Sequence, residues 1–177
     1  MSQTLLLLRH AKAEPWNPGV NDHSRPLSSK GYEQMAVLID ALGPDFDLPG
    51  AVLCSSSRRT RETLEPFISQ WPQLHARTEY TDDIYEASTG VLHELAATAL
   101  GAADSLMMVG HNPGFEQLFR AVTREQDTHG IHKMPTGTLA VIRFENGYAD
   151  DAGDGRLQAF LTPKSLTSTY GQAIESR

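Results

Sequence analysis

The 177 residues, 40% apolar and 21% charged, suffice for a sizeable core and exclude a miniprotein, a disordered chain and a collagen-like one. Fifteen Lys and Arg against 22 Asp and Glu leave a net charge of −7, so no global basic field is available to hold nucleic acid or an anionic membrane, and an anionic ligand must be met by a local cluster. The single cysteine, Cys54, excludes an internal disulfide framework or a Cys-rich zinc site and suits a reducing, cytoplasmic address.

In chain order, Thr4 to Leu8 reads as a short parallel strand buried on both faces. Its apolar run, Leu5 to Leu8, is too short for a signal-peptide core, and no stretch of roughly 20 apolar residues is present to span a membrane. A loop runs from Glu14 to Ser29. Ser28 or Ser29 can then cap a helix in which Tyr32, Met35, Ile39 and Leu42 recur at helical spacing until Gly43-Pro44. Ala51 to Cys54 predicts a strand and Arg58 to Phe67 a helix. The stretch around Tyr80 has no clear pattern. Leu92 to Leu100 predicts a helix, Ser105 to Val109 a strand, and Phe115, Leu118, Phe119 and Val122 a helix opened by Pro113. Thr138 to Phe144 and Leu157 to Leu161 read as late strands around a Gly/Asp-rich loop from Asn146 to Gly155. With no repeat and no linker, the expectation is one domain over residues 1–177, α/β in class, with a mostly parallel sheet and helices on both faces.

In such a sheet, ligands bind beyond the carboxyl ends of the strands. Arg9 and His10 follow the first strand. Ser55 to Ser57 with Arg58 and Arg59 follow the second, and Gly110, His111 and Asn112 follow the Ser105 strand. Three strands thus deliver Arg or His to one edge, where guanidinium forks, imidazoles and free helix-start N–H groups suit a phosphate. Each piece alone is an ordinary loop or turn, and their coincidence carries the reading.

Leu8-Arg9-His10-Ala11 resembles the Arg-His-Gly signature of the histidine phosphatase superfamily (phosphoglycerate mutase-like, branch 1), with Ala11 in the glycine position as in the SixA-like phosphohistidine phosphatase subgroup. Further matches are Arg25-Pro26-Leu27, the Cys54 to Thr63 segment, Gly110-His111-Asn112-Pro113, Pro135-Thr136-Gly137 and Leu161-Thr162-Pro163-Lys164. The resemblance extends from Leu5 to about Leu166. It implies a three-layer α/β/α sandwich without a large cap domain and a phosphatase needing neither metal nor cofactor. His10 would be the nucleophile that becomes phosphohistidine, and Arg9, Arg59 and His111 would hold the phosphoryl oxygens. The family places its arginine four residues after the strand-ending Ser55, which selects Arg59 over Arg58 and Arg61.

For the proton donor the resemblance points to the Asp82 to Ala87 stretch. Glu86 is the choice over Asp82 and Asp83, although a carboxylate near a helix start is also favoured simply by the helix dipole. Arg25 is a candidate substrate contact or a partner for Asp22, and Thr136 and Gly137 are candidate contacts near the phosphate. The SixA-like variant and the lack of a lid segment imply a phosphohistidine-bearing protein as substrate. The alternatives are a small phosphate ester and a phosphoprotein-binding module without turnover. His23, His75, His93, His129 and His132 read as surface residues. Cys54 reads as a buried strand end, since its spacing to the arginines misses the cysteine-phosphatase pattern by one residue and no glycine-rich loop follows it.

Overall fold

A computed structural model describes residues 1–148 and 153–168. Residues 149–152 of the predicted Gly/Asp-rich loop, and 169–177 of the expected single domain, lie outside the described residues. The elements are β1 (Gln3–Arg9), α1 (Ser29–Leu42), β2 (Ala51–Ser55), α2 (Arg58–Gln70), β3 (Thr78–Thr81), α3 (Thr89–Leu100), β4 (Ser105–Gly110), α4 (Gly114–Val122), β5 (Leu139–Phe144) and β6 (Arg156–Leu161), with short 3-10 turns between them. They form a six-stranded sheet in the order β3-β2-β4-β1-β5-β6. The β1, β2, β3 and β4 strands run parallel, while β5 is antiparallel to both β1 and β6.

The uninterrupted leucines of β1 are explained by its central place. Leu5 and Leu7 pack into one core with Leu92, Leu106, Phe115 and Phe119 from the α3 and α4 side. Leu6 and Leu8 pack into the other with Met35, Leu38, Leu64 and Phe67 from α1 and α2. Alternate residues of a strand face opposite sides, so both faces of β1 need apolar side chains. The result is the α/β/α sandwich expected, with no large cap among the described residues.

Ser28 is the serine that caps α1, its hydroxyl accepting from the Gly31 amide at 3.3 Å. The strand the sequence did not disclose is β3. It is an edge strand of four residues whose two middle side chains, Glu79 and Tyr80, are exposed, and a single partly buried edge leaves no apolar run to read. Among the described residues no helix is long and apolar enough to cross a membrane.

Candidate functional site

The carboxyl ends of β1, β2 and β4 lie side by side, because Leu8 and Arg9 pair with Val109 and Gly110, and Cys54 pairs with Val109. This register brings the residues just past each strand together. His10 and His111 are each only 8% exposed, with ring centroids 5.3 Å apart. The β1 end is clamped from both sides. The His10 amide donates to Gly110 O at 3.0 Å, and the Ala11 amide donates to Thr63 Oγ1 of α2, also at 3.0 Å.

His10 Nδ1 sits 2.8 Å from Ala11 O. A carbonyl can only accept, so Nδ1 carries the proton and Nε2 keeps its lone pair. Burial, reinforced by the Arg59, Arg9 and Arg25 charges and only partly opposed by the Ala11 carbonyl, lowers the His10 pKa to about 4. Burial, the neighbouring His10 and Arg59 bring His111 to about 3. Both imidazoles are therefore neutral near pH 7, a state suited to nucleophilic attack by one of them. His111 Nε2 lies 2.8 Å from the Ser55 hydroxyl, and its Nδ1 is buried without a hydrogen-bond partner among the described residues.

Of the three arginines opening α2, only Arg59 is buried. Arg58 is exposed and pairs with Glu62 at 2.6 Å, while exposed Arg61 donates to Ser56 O and lies 4.3 Å from the Tyr80 ring centroid. Arg59 donates through Nη1 to Asp22 O at 2.7 Å and through Nη2 to Asp22 Oδ2 at 3.0 Å. Arg9 donates to Met134 O at 2.7 Å and is balanced by Glu116, which also accepts from the Met134 amide. In Arg9, Arg25 and Arg59 alike, Nε is buried with no partner among the described residues. A buried donor left unpaired costs roughly 1–3 kcal/mol, a penalty that an anion accepting from it would remove.

Arg25 ion-pairs with Asp22 Oδ1 at 3.0 Å and reaches Glu14 O at 3.3 Å, so the simpler pairing foreseen for it is present. Gly137 does not offer its amide to a ligand. Its N–H is shared between Arg9 O at 3.2 Å and His10 O at 3.0 Å, and its φ of 74° is one that glycine adopts without strain. The Gly137 amide, a candidate contact in the sequence, is thus engaged with the end of β1 at Arg9 and His10. Thr136 beside it is half-buried.

Glu86 is exposed at the turn between Tyr85 and α3, and is the only non-glycine residue with positive φ, 53°, among the described residues. Such a conformation costs a non-glycine residue of order 1 kcal/mol or more and is concentrated at functional sites. The turn is seated by the close approach of α4, since a Cβ on Gly114 would meet Ala87 O at 2.7 Å. Asp82 is engaged elsewhere: its carboxylate accepts from the Ser56 hydroxyl, and Asp83 is exposed.

Two participants, Tyr85 and His23, were not read from the sequence, and Asp22 was read only as a partner for Arg25. Tyr85 lies edge-on to His111 at 5.4 Å and donates to Asp22 Oδ2 at 2.9 Å. Asp22 joins Arg25, Arg59 and Tyr85. His23, expected on the surface, packs edge-on against Tyr85 at 5.0 Å with Nε2 2.8 Å from Ser56 Oγ. No group of three or more His, Cys, Asp or Glu side chains able to hold a metal ion occurs among the described residues. A groove of about 550 Å³ lined by Thr4, Leu6, Phe46 and Ser105 opens at the opposite edge, at the amino ends of β1 and β4, and shares no residue with this cluster.

The family model described as histidine phosphatase superfamily (branch 1) matches residues 5–146. A solved structure of a candidate phosphohistidine phosphatase SixA from Agrobacterium tumefaciens is similar at 29% identity and TM-score 0.78, covering 91% of this chain and 98% of that one. The corresponding protein from Nakamurella multipartitia is similar at 26% identity and TM-score 0.76, covering 92% and 97%. An uncharacterized protein of Mycobacterium tuberculosis is 28% identical over 164 residues, covering 89% of this chain and all of that one.

Proposed function

Because the chain belongs to the histidine phosphatase superfamily, branch 1, we propose that it is a phosphatase acting through a phosphohistidine intermediate on His10, and that its substrate is a phosphohistidine-bearing protein. The observation that carries the mechanism is the fixed tautomer of His10, whose Nδ1–H is held by Ala11 O while Nε2 stays unprotonated beside three arginines. In the first step Nε2 attacks phosphorus, the Nε2–P bond forms, and the bond to the leaving oxygen or nitrogen breaks. Glu86 supplies the proton that the leaving atom takes. In the second step the Glu86 carboxylate takes a proton from the water that attacks phosphorus, the Nε2–P bond breaks, and inorganic phosphate departs with His10 and the Glu86 carboxylic acid both restored.

Arg9, Arg59 and His111 hold the equatorial oxygens in this reading. With the Ser55 hydroxyl donating to His111 Nε2, Nδ1–H becomes the donor for a phosphoryl oxygen. Catalysis then comes from positioning and electrostatics, with no cofactor assigned. Cys54 plays no nucleophilic part: burial pushes its thiol up to about 12, so the reactive thiolate is not formed near neutral pH.

Support for a protein substrate comes from two sources. Every segment between Arg59 and His111 is spent on α2, β3, α3, β4 and their turns, which leaves no part of that interval to fold over the site as a lid. Similarity to the SixA structures points the same way. A phosphoramidate projecting from a protein surface enters such a site without needing contacts to the remainder of a small metabolite. The lone cysteine suits the cytoplasm as the place of this reaction.

The test is turnover by the wild type and His10→Ala in EDTA. p-Nitrophenyl phosphate reports the chemistry, and a phosphohistidine protein domain, 3-phosphoglycerate and hexose phosphates report the preference. We expect an acid-labile, alkali-stable phosphoenzyme in the wild type and none in the variant, with kcat/KM highest for the phosphohistidine protein. Retention of most activity by His10→Ala overturns the mechanism. Faster turnover of a sugar phosphate than of every phosphohistidine protein overturns only the substrate.

A further inference from the structure

The group at the centre of the polar network is a carboxylate, which is not what anion binding alone would select. Asp22 accepts from Arg59 Nη2 and from the Tyr85 hydroxyl through Oδ2, at 3.0 and 2.9 Å, while Oδ1 pairs with Arg25 at 3.0 Å. Its own backbone carbonyl takes Arg59 Nη1 at 2.7 Å. Asp22 stands at the start of a short 3-10 turn whose cap, Asn21, accepts from the His23 amide at 2.9 Å, so its backbone is fixed as well as its side chain. Both terminal nitrogens of Arg59 are thus tethered, each keeping a second N–H, and its buried Nε has no partner among the described residues. The guanidinium also lies 5.8 Å from the Tyr85 ring centroid, and Tyr85 in turn packs edge-on against His111.

A negative charge beside two arginines that face an incoming anion has two opposed effects. It repels the anion, which weakens binding of substrate and product alike. It also fixes the direction of the forks, which matters most in the transition state, where charge on the equatorial oxygens must meet donors already in place. Giving up uniform binding while keeping transition-state binding raises turnover and speeds product release.

We propose that Asp22 is the positioning residue of the phosphate seat, aiming Arg25 and Arg59 directly and His111 through Tyr85, and limiting how tightly inorganic phosphate is held after hydrolysis. The inference rests on the phosphatase reading and goes beyond it in assigning a role to a residue that does not touch the reacting atoms. Asp22 carries its charge throughout the neutral range. Burial acts against ionisation, but the Tyr85 hydroxyl and the Arg59 and Arg25 charges outweigh it and hold the carboxyl below its usual range.

The experiment compares the wild type with Asp22→Asn, Asp22→Ala and Tyr85→Phe, measuring kcat on p-nitrophenyl phosphate, the dissociation constant of orthophosphate by calorimetry, and Tm. Asn retains an acceptor for Arg59 and Tyr85 but loses the charge, and is the variant best able to keep the fold. We expect kcat to fall about tenfold to a hundredfold in the Asp22 variants, with Ala the worse. Orthophosphate should bind at least about fivefold tighter in both. Tyr85→Phe, which keeps the charge, should lower kcat by about two- to fivefold through the loosened packing on His111 while leaving orthophosphate affinity within about twofold of wild type.

A purely structural role would lower Tm and weaken turnover and phosphate binding together, and that outcome overturns the proposal. So does kcat within twofold of wild type in both Asp22 variants. Orthophosphate binding by a wild type that turns over no phosphate compound would sink the phosphatase reading, while the shift in affinity on Asp22→Asn would still test the charge effect. A wild type that neither binds orthophosphate nor turns over any phosphate compound overturns both.

Discussion

His10 differs from an ordinary loop histidine in one respect that can be measured. With Nδ1–H bound to a carbonyl and the ring buried, it should remain the neutral Nδ1–H tautomer down to about pH 4, as histidine-selective ¹⁵N NMR can follow. A ring that titrates near 6.5 would show that burial and the three arginines do not act on it as described. The arginines make a sharper comparison. Arg59→Ala should cost about a hundredfold or more in kcat/KM, because it removes a buried fork from the transition state, whereas exposed Arg58→Ala should change it by less than about threefold. Equal losses would mean that the wrong arginine has been chosen. Residues on the ends of strands were legible from the sequence because a charged residue directly after a buried apolar run marks the point where the chain leaves the core. Asp22 was legible only as a local partner for Arg25, and Tyr85 not at all, since 37 and 63 residues separate Asp22 from Arg59 and from Tyr85 and no local pattern marks such pairs. His23 sits in a loop, where periodicity says nothing about which way a ring faces.

Among the elements, the turn from Asp82 to Ser88 is where conformation and chemistry conflict. Holding Glu86 at φ 53° places a carboxylate beside Tyr85 at a conformational cost. Replacing it with glycine should relieve the strain and stabilise the protein by about 1 kcal/mol, read as a rise in Tm. The same change should slow hydrolysis of alkyl phosphates much more than that of p-nitrophenyl phosphate, whose leaving group hardly needs a proton. Glu86→Gln should share the kinetic effect without the rise in Tm. Uniform loss across leaving groups would assign Glu86 a structural part. The helices and the central strands announced themselves through apolar spacing and caps, as Ser28 and Gly43 do at the two ends of α1. By contrast β3 was hidden, because an edge strand with Glu79 and Tyr80 facing water presents neither alternation nor an apolar run.

For the whole molecule, the two neutral histidines tie stability to pH. Their folded values, about 4 and about 3, lie below the ordinary 6.5, so between these limits the unfolded chain binds more protons than the folded one. Stability is therefore at its full value above about pH 6.5 and falls progressively as the solution is acidified toward 3. Thermal melts in phosphate-free buffer should show Tm dropping between pH 6.5 and 5, before carboxylates titrate appreciably, and a double His10→Gln, His111→Gln variant should show a flatter profile over that interval. A slope unchanged in the double variant would place its source elsewhere.

The order of the sheet also ranks its parts by how readily they open. Strand β1 lies between β4 and β5, away from both edges, and the His10 amide is bonded to Gly110 O. Its hydrogen should exchange with solvent only when most of the molecule unfolds. Asp22 and Tyr85, by contrast, ride on short turns outside the sheet. Low concentrations of denaturant should then release the arginines' tethers while the strand carrying His10 is still protected, so enzymatic activity should disappear before deuterium reaches that amide. A population of molecules could keep an intact core and an intact His10 yet be catalytically silent, distinguishable from native protein only by the exchange rates of its turns.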